Sequence, residues 1–239
     1  MSTEQAQLPT AEDRPQNHGP VWIVDDDDVR FSLSFALSPR YEPQTFGSGE
    51  EFLSQVSLDR PGCLILDLRM LGMTGLDVQK RLIEAQSPIG VVFLSGHGDI
   101  RTAVSAMESG AVSFLEKPVD PDLLAAAVQK ALDASYERHR RKHIHKLLST
   151  LTAREMQIFR MVCQGRKNSD IAEELFVSKR TVEVHRMHIS RKLGYAAPIR
   201  FLWELAELEE VTPMGKAAGK IDAADAAEAD DASEEDDEE

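Results

Sequence analysis

Long apolar runs are missing from this chain. Nothing in its 239 residues approaches the roughly 20 apolar residues of a membrane-spanning helix. The opening MSTEQAQLPTAEDRPQNHG is polar and has no core of a secretory signal. Cysteine is scarce as well: Cys63 and Cys163 stand far apart, each inside an apolar run. That pattern disfavours a disulfide or a two-cysteine metal site and suits buried thiols in a reducing compartment. The expectation is a cytoplasmic protein with no membrane partner. Basic residues are also short, 27 against 41 acidic, for a net charge of -14. The apolar share, 42%, is that of ordinary globular protein, and the length suits two modest domains.

The shortage of basic charge is uneven. Residues 1–135 hold 10 basic and 20 acidic groups, residues 136–212 hold 15 and 10, and residues 213–239 hold 2 and 11. A basic module inside an acidic chain points to a polyanion partner for that module alone. The tail from Pro213 is rich in Ala, Asp and Glu and is expected to be disordered, as a solubilising tail or a competitor of DNA.

Residues 21–135 alternate between two textures. Apolar runs at VWIV (21–24), PQTF (43–46), CLIL (63–66), GVVFL (90–94) and VSFL (112–115) predict strands. Between them, helical spacing marks Val29, Leu33, Ala36 and Leu37, then Phe52, Leu53 and Val56, then Leu76, Val78, Leu82 and Ile83. Ile100, Ala103, Val104 and Met107 follow, ended by Gly110, and then Leu123, Leu124, Ala127, Val128 and Leu132 behind the Asp120-Pro121 helix start. Five strands alternating with five helices imply an α/β, doubly wound, five-stranded parallel sheet. The runs at 63–66 and 90–94 suit strands buried on both faces.

Sites in such sheets form at the carboxyl ends of the strands. Those ends read Asp25-Asp26, Asp67, Ser95 and Lys117. Carboxylates from separate strands favour a hard dication, Mg²⁺ or Mn²⁺. Lys117 adds a point charge and Ser95 a donor for phosphoryl oxygens. Asp67, alone on the central strand, is the best candidate nucleophile. Asp27 and Asp28 are expected to cap the first helix. GHGD (96–99) lacks P-loop spacing, and Asp99 reads as a helix cap.

The basic segment YERHRRKHIHKLLST (136–150) reads as a continuation of the fifth helix. His139 and His143 have a spacing that suits a metal, but no carboxylate or thiol stands beside them, so a solvated linker is expected. Residues 151–210 read as four helices. Thr152 to Glu155 forms a capping box, Ile158, Phe159 and Val162 face inward, and Gly165 ends the first helix. A short helix (169–175), a turn at Phe176-Val177 and a helix at 179–193 capped by Ser178 follow, with Val182, Ile189 and Leu193 inward. A last helix at 198–210 carries Phe201, Leu202, Leu205 and Leu208. The pair around the short turn has the form of a helix-turn-helix.

Two resemblances bear on the first constellation. Val24 to Val29 resembles the first motif of haloacid-dehalogenase-type phosphatases, with Asp25 as nucleophile and Asp27 as acid/base; that reading lacks the family's later acidic metal motif and leaves Asp67 unused. VDDD (24–27), LILDLRMLGMTGLDV (64–78), VVFLSGHGDIRTAVSAMESGA (91–111) and SFLEKP (113–118) together resemble a two-component receiver domain of flavodoxin-like fold. That resemblance implies Asp67 as phosphoacceptor. It implies Asp25, Asp26, Asp67 and the backbone carbonyl of Arg69 around the metal. Ser95 and Phe114 become switch residues, Lys117 binds the phosphoryl group, and Lys117-Pro118 is cis. The sequence departs at Leu71, where related receivers usually carry Pro, and in a run after VDDD that is one residue short. A looser loop after Asp67 is expected from the first.

LTAREMQIFRMVCQGRKNSDIAEELFVSKRTVEVHRMHISRKLG (151–194) resembles the LuxR-type output domain, making the whole similar to FixJ/NarL-type response regulators. The resemblance puts Glu183, Val184 and Met187 at base edges and Lys179, Arg180, Thr181, Arg186 and Lys192 on phosphates. His185 is expected to pack, half-buried. The implied partners are a sensor histidine kinase, double-stranded DNA, RNA polymerase and, when phosphorylated, a second copy of the chain. The implied organisation is an N-terminal extension (1–19), expected disordered, a receiver (20–135), a basic linker helix (136–150), a small all-α four-helix DNA-binding domain (151–210) and an acidic tail (211–239). The functional reading is a transcription factor switched by phosphorylation, not an enzyme beyond self-dephosphorylation. The alternatives are a Mg²⁺-dependent phosphatase with an accessory domain and a degenerate receiver that needs no phosphorylation.

Overall fold

The computed structural model describes residues 19–38, 40–96 and 100–194. The N-terminal extension, the Asp99 cap, the helix at 198–210 and the acidic tail lie outside these residues. The chain divides into two compact units between Lys142 and His143.

The first unit alternates strand and helix: β1 (Val21–Val24), α1 (Asp27–Leu37), β2 (Gln44–Phe46), α2 (Gly49–Gln55), β3 (Cys63–Asp67), α3 (Gly75–Glu84), β4 (Gly90–Ser95), α4 (Ile100–Glu108), β5 (Ser113–Glu116) and α5 (Pro121–Leu148). The sheet is parallel in the order β2-β1-β3-β4-β5. The order reverses beside β1 and β3, which makes their carboxyl ends the switch point.

Strand side chains alternate between two cores. Val21, Ile23, Cys63, Ile65, Val92 and Leu94 meet Leu33 and Leu37 of α1 and Leu124, Val128 and Leu132 of α5. Trp22, Val24, Leu64, Leu66, Val91 and Phe93 meet Phe52 of α2, Val78 and Leu82 of α3 and Ala106 of α4. The apolar stripes of α1 and α2 face the sheet. Those of α3, α4 and α5 divide between core and solvent. Ile83 is exposed on α3, while Gln79 is buried and donates to the carbonyls of Ala106 (3.0 Å) and Ser109 (3.3 Å). Leu123 is exposed on α5. On α4, Ile100, Val104 and Met107 face solvent, and Ala106 makes the buried contact. Periodicity finds an apolar stripe but not whether the sheet or something else covers it.

Asp120 caps α5, accepting from the N–H groups of Asp122 (2.9 Å) and Leu123 (3.1 Å). Farther along α5, Arg138 donates to the carbonyls of Ile89 and Gly110, and Lys142 to Asp59 and the carbonyl of Gln86. These side chains belong to the first unit. Residues 136–148 are thus helical, and Arg138, Arg141 and Lys142 have protein partners.

In the second unit, Ile144 near the end of α5 is fully buried with residues of α6 (Ala153–Cys163), α7 (Asn168–Leu175) and α8 (Lys179–Leu193). The capping box stands: Thr152 Oγ1 accepts from the Glu155 N–H, and the Glu155 carboxylate accepts from the Thr152 N–H. Val182, Ile189 and Leu193 are buried as expected. Phe176 closes α7 in left-handed backbone and is almost wholly exposed. Both cysteines are free, Cys63 buried and Cys163 half-buried, and burial pushes the Cys163 thiol up to about 12. No described helix is long and apolar enough to cross a membrane.

Gly75 opens α3 beneath the end of β3. A Cβ there would press into the Asp67 carbonyl oxygen and lie 3.0 Å from the Phe93 ring. Overpacking against backbone costs about 1–3 kcal/mol. Gly75→Ala is therefore expected to lower the unfolding free energy of the first unit by that order, read as a lower urea midpoint. An unchanged midpoint would show that α3 can move away freely.

Candidate functional site

Strand register assembles the first site. Val24 pairs with Leu66, so Asp25 and Asp67 follow side by side. Asp67 pairs with Leu94, which brings Ser95 next, and Ser95 pairs with Glu116, which brings Lys117 next. Four side chains distant in sequence thus meet at one edge of the sheet. The Lys117-Pro118 peptide is cis.

Asp25 is 2% exposed and Asp67 8%. The Lys117 ammonium donates to Asp25 Oδ1 and to Asp67 Oδ1, each at 2.8 Å. It also lies 2.7 Å from Asp25 Oδ2, but without hydrogen-bond direction, and that buried oxygen has no donor of its own. Burial pushes the Asp25 carboxyl above the usual carboxylate range; Lys117 and the Asp26 N–H oppose this and do not overcome it. Burial pulls Lys117 down, but the two carboxylates outweigh it and hold the ammonium above its ordinary value. One cation therefore serves two buried anions, and an acceptor is left over. This arrangement fits a hard, oxygen-seeking dication.

Asp26 is exposed and caps α1, its Oδ1 accepting from the Val29 N–H at 3.1 Å. This corrects the expected capping role of Asp27 and Asp28. Both stand inside the first turn, where their charge suits the helix dipole, and Asp27 pairs with Arg30. The short run after VDDD leaves no residue to spare: the strand ends at Val24, and the cap follows two residues later.

A recess of about 200 Å³ is lined by Asp67, Leu68, Arg69, Ser95, Gly96 and Lys117. It has room for several water-sized groups. The Arg69 N–H donates to Asp67 Oδ2 at 2.9 Å and orients the carboxylate. Among the described residues no three His, Cys, Asp or Glu side chains form a metal-holding group by themselves. A cation here would lean on backbone carbonyl and water, as Mg²⁺ commonly does. His139 and His143 gain no such group either. Leu71 is 98% exposed, yet its loop is braced from α2, where Glu50 accepts the Met73 N–H at 3.0 Å. Phe114 is half-buried on β5, its ring 6.5 Å from that of Phe93, its register partner.

In the second unit α8 presents Lys179, Arg180, Glu183, Val184 and Met187 to solvent, with Thr181 and Arg186 half-buried. Ser178 caps the helix, its Oγ accepting from the Thr181 N–H at 3.0 Å. His185 is half-buried, and burial, followed by the charge of Arg154, holds it below its ordinary value, as suits a packing residue. Lys192, expected on a phosphate, has a partner within its own unit. Its ammonium donates at 2.6 Å to Glu155, which is 4% exposed. Sequence reading also missed Asn168, whose Oδ1 accepts from Arg186 at 2.5 Å. Neither pairing has a local signal, because the partners lie 37 and 18 residues apart.

Two family models match the chain: "Response regulator receiver domain" over residues 21–129 and "Bacterial regulatory proteins, luxR family" over residues 149–197. The transcriptional regulatory protein FixJ of Azorhizobium caulinodans is 38% identical over 214 residues, covering 87% of this chain and 96% of FixJ. The tetrathionate response regulatory protein TtrR of Salmonella typhimurium is 38% identical over 175 residues, covering 72% of this chain and 85% of TtrR. Among solved structures, the response regulator StyR matches with a TM-score of 0.60 at 34% identity, covering 79% of this chain and 99% of StyR.

The Glu155–Lys192 pair makes the second unit acid-sensitive. Burial raises the Glu155 carboxyl, but Lys192 and the Thr152 N–H together hold it below its ordinary 4.5. A depressed carboxyl stabilises the fold above that ordinary value, and the contribution is lost as pH falls through the lower folded one. Lys192→Met leaves the buried Glu155 carboxylate with the Thr152 N–H but without its countercharge, and is expected to cost about 1–3 kcal/mol near neutral pH. Thermal melts should show the gap between wild type and variant closing below pH 4.5. A gap that does not change with pH would contradict this account.

Proposed function

The chain belongs to the FixJ/NarL-type response regulators, a receiver joined to a LuxR-type DNA-binding domain, and from that premise we propose that Asp67 takes a phosphoryl group from a sensor histidine kinase and thereby controls DNA binding through α8. The observation that carries this reading is the convergence of Asp25, Asp67, Ser95 and Lys117 at adjacent strand ends beside a recess.

A carboxylate oxygen of Asp67 attacks phosphorus. The bond from phosphorus to the donor imidazole nitrogen breaks, its electron pair stays on that nitrogen, and the imidazole takes a proton from solvent. The product is an acyl phosphate on Asp67. Lys117, already 2.8 Å from Asp67, stands where negative charge gathers on the phosphoryl oxygens, and the Ser95 hydroxyl lines the same recess. Asp25, Asp26, Asp67 and the Arg69 carbonyl are the residues that would hold Mg²⁺ or Mn²⁺. Such a cation, when bound, supplies further neutralisation of those oxygens. The unmatched Asp25 Oδ2 and its raised carboxyl support that assignment.

The phosphatase alternative fits less well. Asp25 does not line the recess, and Asp27 is exposed and paired with Arg30. A degenerate receiver is disfavoured because each chemical position is filled. Self-dephosphorylation by water is the only catalytic step assigned to the protein.

Phosphorylation is read out through Ser95 on β4 and Phe114 on β5. The outward stripe of Ile100, Val104 and Met107 supports a homodimer contact through α4 and β5. Double-stranded DNA is the partner of α8; RNA polymerase and a cytoplasmic setting rest on family membership.

Incubation with a small phosphodonor and Mg²⁺ is expected to load one phosphoryl group per chain. Asp67→Asn and chelation of the metal should each abolish loading. Rapid multiple turnover surviving Asp67→Ala would establish a phosphatase instead.

DNA affinity is expected to fall linearly on a log–log plot against salt, with a slope of about -0.9 for each phosphate contacted. Arg186→Ala should weaken binding to all sequences alike, whereas Val184→Ala should change base preference. Equal losses on selected and random DNA for Val184→Ala would remove it from base reading.

A further inference from the structure

Asn168 is the first residue of α7, one place past the cap position that asparagine ordinarily favours. Here the cap is Lys167, which makes no side-chain cap bond, and the Asn168 amide reaches across to α8 instead. Its Oδ1 accepts from Arg186 Nη1 at 2.5 Å, and its Nδ2 points to Glu183 Oε1 at 3.5 Å. Donor and acceptor ends of one neutral amide are therefore matched to a cation and an anion on the recognition helix. The reversed amide would set N–H against guanidinium and oxygen against carboxylate.

Glu183 and Arg186 are three residues apart on α8, so they share a face. Without an intervening group, opposite charges at that spacing close on one another. Each would then be withdrawn from anything docked on the helix. The amide prevents this at little cost in hydrogen-bonding capacity. Guanidinium has five N–H donors and yields one to Asn168, and the carboxylate keeps most of its acceptor sites. Exposed Val184 and Met187 lie on the same helix between and beside the pair.

We infer that Asn168 is a positioning residue for sequence reading: it holds Glu183 and Arg186 apart, leaving the carboxylate to accept from a cytosine amino group and the guanidinium to hold the flanking phosphate. This rests on the DNA-binding role proposed for α8. A carboxylate is the side-chain group suited to the cytosine N4 donor in the major groove. It is also repelled by the phosphate backbone, so its orientation decides whether it helps or hinders binding. Asn168 acts on base choice through Glu183 and touches no base itself.

The test uses the full-length phosphorylated protein and selection from a pool of random duplexes. Wild type is expected to select a site, and Asn168→Ala to lose the preference for cytosine at one position. Glu183→Ala should lose preference at that same position. On the selected site, the affinity cost of Glu183→Ala should be smaller by about fivefold or more when Asn168 is already Ala, as expected for residues that act as a unit. A merely structural role for Asn168 would lower affinity evenly and leave the selected sequence unchanged, and that result overturns the inference. Asn168→Asp covers the case in which the alanine variant fails to fold, since a carboxylate suits a helix first turn. It keeps an acceptor for Arg186 but repels Glu183, so the same loss of cytosine preference is expected, and an unchanged site again overturns the role. If wild type selects no sequence, the DNA-reading premise falls and this role with it; if only the variants match wild type, the role alone falls.

Discussion

One ammonium set between two buried carboxylates is the contact on which the first unit's working end depends. Lys117 bridges Asp25 and Asp67, which close the two strands at the switch point of the sheet. Those acids are placed next to one another by register, and like charges at that spacing repel. The lysine offsets part of the repulsion and leaves an excess of one negative charge with an unmatched oxygen. That imbalance is costly in the protein as it stands, and it is the charge pattern that a hard dication would relieve. Structure and chemistry are here two descriptions of one electrostatic deficit.

The second unit solves a different problem with similar parts. Its helix α8 is tied to its neighbours while most of its charges stay exposed. Glu155 does double duty, closing the capping box of α6 and receiving Lys192 from the end of α8. Arg154 donates to the carbonyl of Leu175 at the end of α7, and Asn168 ties the start of α7 to the middle of α8. Polar ties between helix ends thus supplement the apolar core around Ile158, Ile171, Val182 and Ile189. Lys192 shows the consequence for reading basic residues: a lysine on a basic helix can be occupied inside its own domain.

Much of this was legible without coordinates. Strand positions followed from apolar runs bounded by polar residues, because a strand buried on both faces tolerates little else. Asp67 and Ser95 were legible because each directly follows such a run, and Lys117 because it stands one residue beyond one. Helix starts at Thr152, Ser178 and Asp120 were legible because a cap is a local hydrogen bond. The outward stripe of α4 was not. Its spacing matches that of an inward face, and only packing distinguishes the two. The capping role of Asp26, rather than Asp27 or Asp28, turned on where β1 stops, which a run of four identical residues cannot reveal.

The sequence by itself determined the elements, their order and the residue types at each strand end, since these depend on local hydrogen bonding and on periodic burial. It determined as well that a basic module follows an acidic one. Tertiary structure alone decided which oxygens Lys117 meets, that Asp25 keeps one acceptor unmatched, that Lys192 turns to Glu155, and that Asn168 stands between Glu183 and Arg186. Each of these is a contact between residues far apart in the chain. Such contacts are chosen by how whole elements pack, and no short stretch of sequence carries that information.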